Sequence, residues 1–265
     1  MKDPAIQEAT ASEPLALEEE YENQQSWRTS HDKLTFIVCR AIDSSSGLDI
    51  SNPGSKVTDQ KSNPSSNIET NERVYAGQVD APDRMVGDIN LFLTPWEGDE
   101  DDENDFNGPS LDKAVVPLSP QSKRDPTARY CNGEVDIMIA DRDHRGKGLG
   151  IAAVSTLLHF VRQHLKSILA EYSKAQGDQG GIGARSPYEL KDMVAKINEA
   201  NAGSIALFTK LGFRKRGKVN YFGEIEMVLE DFGVATSSGV VDENGGEANV
   251  LDYRELLFDR SRLPA

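Results

Sequence analysis

Residues 134–154, EVDIMIADRDHRGKGLGIAAV, decide how the chain folds. Glu134 to Ala140 reads as a strand: Glu134 and Asp136 fall on one side, Val135, Ile137 and Ile139 on the other. A charged turn follows, carrying Arg145-Gly146-Lys147-Gly148-Leu149-Gly150, and an apolar helix opens out of it. A glycine-rich turn between a strand and a helix bares several backbone N–H groups at the positive end of the helix. Such a place suits a pyrophosphate.

Three glycine patterns compete for the turn. A P-loop needs Ser or Thr after its Lys to hold magnesium, and Gly148 follows Lys147. A dinucleotide fingerprint wants its first glycine directly after the strand and an acidic residue about 20 positions on, ending a second strand. Here Asp141 to Arg145 intervene, and the region around Ser167 reads as helix. The third pattern is Arg/Gln-x-x-Gly-x-Gly/Ala, which Arg145, Gly148 and Gly150 satisfy in register.

A second motif lies downstream, Asn201-Ala-Gly-Ser-Ile-Ala-Leu-Phe208-Thr-Lys210-Leu-Gly212-Phe213. Asn201 suits a helix N-cap, Ile205, Leu207, Phe208 and Leu211 supply an apolar side, and Gly212 suits the left-handed position after the last turn. The two motifs together, with strand-like Met193–Ile197 between them, resemble the GCN5-related N-acetyltransferase (GNAT) superfamily. Thr10-Ala-Ser-Glu-Pro-Leu15 and Gly87-Asp-Ile-Asn-Leu-Phe-Leu93 narrow the resemblance to the N-acetyltransferase 9-like branch.

The resemblance implies an α/β fold: a mixed, mostly antiparallel sheet flanked by helices. The periodicity predicts helix 15–27, strands 34–40, 85–93 and 134–140, helix 149–170, strand 191–197, helix 201–210, and a hairpin of strands 213–219 and 221–229. Relatives begin with an edge strand and a first helix, and this chain starts where they are partway through that helix, so one edge strand is expected to be missing. The domain is read as residues 1–232, with disordered inserts at about 43–83 and 97–130. Residues 233–265 read as a polar tail ending in a short amphipathic helix.

The chain has 265 residues, only 37% of them hydrophobic, which fits one domain diluted by polar inserts. A net charge of −15 argues against nucleic acid as a partner and is concentrated in runs such as Glu97–Asp105. Solvating a loop is the plainest use of such a run, and an acidic rim would also favour cationic acceptors. No apolar run approaches the roughly 20 residues of a membrane span. Cys39 and Cys131, with no secretory segment, point to reduced thiols in the cytosol or nucleus. His31, His144, His159 and His164 share no ligand spacing, so no metal is expected. Oligomeric state is not legible.

The chemistry is what the resemblance implies: acetyl-CoA as co-substrate and a protein or peptide amine as acceptor, an N-terminal α-amino group ahead of lysine. The turn Arg145, Gly146, Lys147, Gly148, Leu149 and Gly150 would hold the pyrophosphate. Met138, Ile139 and Ala140 would offer strand backbone to the pantetheine, and Asn201 would touch pantetheine or acceptor. Glu134 falls where some members carry a base, with Asp136 on the same face. Phe208 stands where members often carry an acidic Tyr for the departing thiolate, and Tyr221 is near it only in sequence. A non-catalytic acyl-CoA-binding scaffold and a small-amine acetyltransferase stay open as alternatives.

Overall fold

A computed structural model describes residues 15–40, 73–96, 128–177, 187–233 and 253–261. Helix α1 (Leu17–Thr29) leads into β1 (Lys33–Cys39), followed by β2 (Arg73–Tyr75), β3 (Met85–Pro95) and β4 (Arg129–Ile139). A single 3-10 turn at Arg142–His144 opens α2 (Leu149–Ala175). Then come β5 (Tyr188–Asn198), α3 (Ala202–Lys210), β6 (Arg214–Arg216), β7 (Glu224–Leu229) and β8 (Leu257–Asp259).

Six strands form one sheet in the order β1-β3-β4-β5-β7-β6. Every neighbouring pair is antiparallel except β4 and β5, which run parallel with α2 as their crossover. Among the described residues no strand pairs with the outer edge of β1.

The alternation of the strands gives the sheet two unlike faces. Ile89 and Leu91, Cys131 and Val135, Met193, Ala195 and Ile197, and Ile225 and Met227 are buried together with Val154, Leu157, Leu158 and Val161 of α2. Each fully buried aliphatic side chain is worth roughly 1.5–3 kcal/mol, so this layer dominates stability. Phe36 of β1 meets Phe160 of α2 edge-on at 5.2 Å, which carries the layer to the sheet's edge. Phe92 lies on the opposite face, where Trp27 of α1 packs on it at 5.6 Å. That face also holds Asp88, Asn90, Glu134, Asp136, Lys196 and Glu226, since they alternate with the core residues.

Several expectations are corrected. Helix α2 runs to Ala175 rather than 170 because Tyr172, fully buried, anchors its last turns. Residues 73–83 fall within the first polar insert expected from composition, yet β2 and buried Ala76 lie there, and Arg129 and Tyr130, at the end of the second, already belong to β4. The predicted hairpin is shorter, because Asn220 Oδ1 accepts from the N–H groups of Phe222 and Glu224 and closes a wider turn. The C-terminal helix is replaced by β8, which pairs in parallel with β2. Its approach is fixed on α2 by Glu255, which takes His164 at 2.7 Å and the Tyr253 hydroxyl at 2.6 Å. The acidic run at 97–105 lies outside the described residues.

Candidate active site

β4 and β5 pair from Arg129 and Tyr188 only as far as Glu134 and Val194. Beyond that point β4 stays on β3 to Ile139 and β5 stays on β7 to Asn198, so the two parallel strands part and leave a cleft. The cleft ends at the N-terminus of α2. Ala140 N–H donates to Val86 and Tyr130 accepts from Trp96, which sets the alternation of β4: even-numbered residues turn their backbone toward β3. Met138 and Ala140 therefore serve β3, a correction to their expected role. The backbone turned into the cleft is that of Ile137 and Ile139. Ile137 could have been found from sequence only by knowing which neighbour each residue pairs with.

The turn after β4 is built to leave N–H groups open. Asp141 accepts from the Asp143 N–H at 2.9 Å and from His144 at 2.6 Å; the backbone bond and then the histidine hold its carboxyl below the usual range. Gly148 sits at φ 85, the left-handed region that favours glycine, and a side chain there would meet no protein atom within 4 Å. No side chain caps α2, and its first turn carries no acidic residue. Its first N–H groups, from Leu149 onward, are thus left for a ligand, and Gly146 and Lys147 stand exposed beside them. Gly150 has a different task, since a Cβ on it would lie 2.6 Å from Leu207 Cδ1 of α3.

Arg145 was expected at the phosphates. Its Nε donates to the Ile139 carbonyl at 2.7 Å and its Nη2 to the Ala140 carbonyl at 3.3 Å. The guanidinium braces the turn against the end of β4. With that carbonyl taken, Ile139 N–H and the Ile137 carbonyl remain directed into the cleft, one donor and one acceptor.

The two candidate bases differ. Glu134 holds Lys196 Nζ at 2.7 Å, and that hydrogen bond raises the Lys196 pKa, so the ammonium stays charged. Asp136 presents surface to solvent in the crowded trough of the polar face. Desolvation raises its pKa, as do the negative charges of Asp88 and Glu134, against a lowering hydrogen bond from the Ile137 N–H. Asp88 on β3 is raised by burial, opposed by the Asn90 amide donating to it at 2.9 Å. Asp88, Asn90 and Lys196 escaped the sequence reading because their nearness to β4 depends on register: Asn90 lies opposite Asp136.

Asn201 does cap α3, its Oδ1 accepting from the Ser204 N–H at 3.1 Å. Phe208 is 2% exposed and packs edge-on against Phe213 at 5.0 Å, so it is a core residue turned away from the cleft. Tyr221 is 97% exposed on the β6–β7 turn. Among the described residues no cluster of metal-ligating side chains occurs, and no helix is long and apolar enough to cross a membrane.

The cleft and the open helix end fit acetyl-CoA. Strand backbone is free to pair with the amides of the pantetheine, and uncapped N–H groups at a positive helix end suit its pyrophosphate.

Residues 59–214 match the family model of the acetyltransferase (GNAT) domain. The chain is similar to an N-acetyltransferase 9-like protein of Schizosaccharomyces pombe, 34% identical over 86% of this chain and 84% of that one. It is also similar to alpha/beta-tubulin-N-acetyltransferase 9 of Homo sapiens, 29% identical over 86% of this chain and 70% of that one. Among solved structures, a domain from Methanocaldococcus jannaschii aligns over 86% of this chain and 85% of that one, at 19% identity and a TM-score of 0.40. With its strand cleft, glycine turn and capped α3, the chain belongs to the GNAT family and is an N-acetyltransferase.

Proposed function

We propose that this acetyltransferase moves the acetyl group of acetyl-CoA to an amine of a protein or peptide, an N-terminal α-amino group above all. The observation that carries this reading is the parting of β4 from β5 after Glu134, directly before an uncapped helix N-terminus. The polar face beside the cleft is rich in carboxylates, which favours an acceptor that arrives as a cation. The name of the human relative, which specifies tubulin, supports a protein acceptor.

In this reading bound acetyl-CoA supplies the thioester. Asp136 takes the proton of the acceptor ammonium, since its raised pKa makes it the better acceptor, while Glu134 is committed to Lys196. The freed amine forms the new C–N bond at the thioester carbonyl, the C–S bond breaks, and CoA leaves as its thiolate without a protein acid. A backbone N–H of β4 facing the cleft stabilises the charge developing on the carbonyl oxygen. The Ile139 N–H is the donor so placed.

The test is mass spectrometry of peptides incubated with the enzyme and acetyl-CoA. One set has free N-termini and no lysine, a second has blocked N-termini and internal lysines, and a panel of small amines runs alongside. Acetylation confined to the first set is the expected result. Acetylation of small amines alone would replace this reading.

A further inference from the structure

The polar face of the sheet treats its carboxylates in two ways. Glu134 holds Lys196 at 2.7 Å, Glu226 holds Arg216 at 2.7 Å, and buried Asp192 holds the same Arg216 at 3.0 Å. Asp88 and Asp136, on the neighbouring strands β3 and β4, have no ion-pair partner among the described residues. Two uncompensated carboxylates near each other are costly, and each charge hinders the ionisation of the other.

Asn90 stands between them. It alternates with Asp88 on one face of β3 and lies opposite Asp136 of β4. Its Nδ2 donates to Asp88 Oδ1 at 2.9 Å, which turns its carbonyl oxygen the other way. That oxygen is buried, in a residue 2% exposed, and has no hydrogen-bond partner among the described residues. A buried acceptor without a donor is rare in a native fold and calls for a missing group. Asp88 accepts from the Asn90 amide and Asp136 from the Ile137 N–H, but neither carboxylate has a cation among the described residues, and the amide oxygen between them has no donor there. A primary ammonium, with three N–H donors and no acceptor, is the complement of this set.

We propose that Asp88, Asn90 Oδ1 and Asp136 form the cradle that receives the acceptor's primary ammonium group, with Asp88 and Asn90 determining specificity. The inference rests on the reading of the chain as an amine acetyltransferase and adds to it the residues that recognise the amine. Asp88 and Asn90 hold the nitrogen while Asp136 takes its proton, so the nitrogen remains bound after its charge is lost. The cradle selects acceptors that arrive as primary cations. Acceptors with fewer N–H donors, such as a peptide beginning with proline, leave one of the acceptors unfilled.

The experiment uses glycinamide, a small primary ammonium, against glycolamide, its neutral hydroxyl counterpart. Both are titrated into the full chain saturated with acetyl-CoA's non-transferring analogue desulfo-CoA, and the Asn90 side-chain carbonyl is followed by NMR. Glycinamide is expected to bind at least about tenfold more tightly, the scale of a charge-assisted hydrogen bond, and to shift the Asn90 carbonyl. Asp88→Asn should remove that preference, and in transfer assays raise KM for a free-N-terminus peptide about ten- to a hundredfold while leaving KM for acetyl-CoA unchanged. Asn90→Leu is a second variant that removes the acceptor oxygen without adding charge, and should weaken glycinamide binding more than glycolamide binding. Equal binding of the two probes, or an unaltered preference in Asp88→Asn, would overturn the cradle. Wild-type transfer to α-amines with an unmoved KM in Asp88→Asn would sink the cradle and leave the proposed function standing. Cation preference in a wild type that acetylates no peptide would do the reverse.

Discussion

Helices α1 and α2 both present a positive N-terminus, and the chain treats them in opposite ways. Helix α1 fills its first turn with Glu18, Glu19 and Glu20, and the Glu19 carboxylate reaches back to the Ala16 N–H at 2.8 Å. Helix α2 begins at a left-handed glycine with no capping side chain and no acidic residue in its first turn. In a chain of net charge −15, an acid-free first turn is a place where negative charge is kept out. The same contrast runs across the sheet, where Glu134 has its cation and Asp136 does not. Where a group needs only stability, the chain satisfies it from within. At the cleft it leaves donors and acceptors for a ligand.

The sharpest way to break this contrast is Gly148→Val. A β-branched residue at φ 85 costs on the order of 1–3 kcal/mol in backbone strain. No protein atom lies within 4 Å of the new Cβ, so the remaining damage falls on whatever occupies the open side. Acetyl-CoA at a hundred times its Kd should stabilise the wild type by about 2.7 kcal/mol, and the variant should lose that shift in Tm along with acetyl transfer. A folded Gly148→Val that keeps the full acetyl-CoA shift would mean the pyrophosphate lies elsewhere.

Next in size is the pair Asp136→Asn and Glu134→Gln. Removing the base should lower turnover by about 10²–10⁴-fold, while Glu134→Gln, which loosens Lys196, should cost far less. The pH behaviour follows from sign. Partial desolvation by the groups around it and the neighbouring carboxylates raise the folded pKa of Asp136, so its charged form is disfavoured in the folded protein. That penalty is present above the folded pKa and fades as pH falls through it, where the folded state binds the proton more readily than the unfolded one. Asp136→Asn should therefore melt higher than wild type at neutral pH, and the difference should shrink on acidification. The wild type's acidic rate limb should lie above the ordinary carboxylate range and be absent from the variant. If Glu134→Gln is the more damaging change, the base is the ion-paired residue.

What could be read from sequence here divides by how local the signal is. The glycine turn, the α2 apolar stripe and the Asn201 cap each announce themselves within about ten residues, because period and capping chemistry are local. The alternation of Glu134 and Asp136 against Val135 and Ile137 was legible for the same reason. Register was not. That Asn90 faces Asp136, that Lys196 reaches Glu134, and that Met138 gives its backbone to β3 all depend on strands far apart in sequence. β8 was hidden because Leu257–Asp259 is short and its partner lies at Arg73–Tyr75. Phe208 shows the converse risk: its place in a motif suggested a role at the cleft, and packing on Phe213 makes it a core residue.

A smaller effect comes from giving α2 what α1 has. Ala152 is exposed in the first helical turn, so Ala152→Glu adds an acid there without disturbing the core. The helix dipole should reward it by about 0.3–1 kcal/mol in the free protein. The same charge opposes a bound pyrophosphate, so acetyl-CoA affinity should fall several-fold, and added salt should restore part of it. A variant both more stable and tighter for acetyl-CoA would mean that no anion sits at this end of α2.

The smallest effect is the mirror change, Glu19→Ala in α1. Its carboxylate makes one exposed hydrogen bond, to the Ala16 N–H, and adds one negative charge to a turn that keeps Glu18 and Glu20. Losing it should cost about 0.3–1 kcal/mol, or no more than about 2–4 °C in Tm. Helix α1 buries no residue completely, and its Trp27 rests on Phe92 at the surface of the sheet, so little else should move. Turnover and the acetyl-CoA shift in Tm should match wild type, because the change lies on a helix whose N-terminus serves no ligand. Glu19→Ala combined with Ala152→Glu keeps net charge constant and moves the acid from one N-terminus to the other. In that double variant stability should nearly return to the wild-type value while acetyl-CoA affinity stays low. Recovery of affinity would show that total charge, and not charge at the α2 terminus, governs binding.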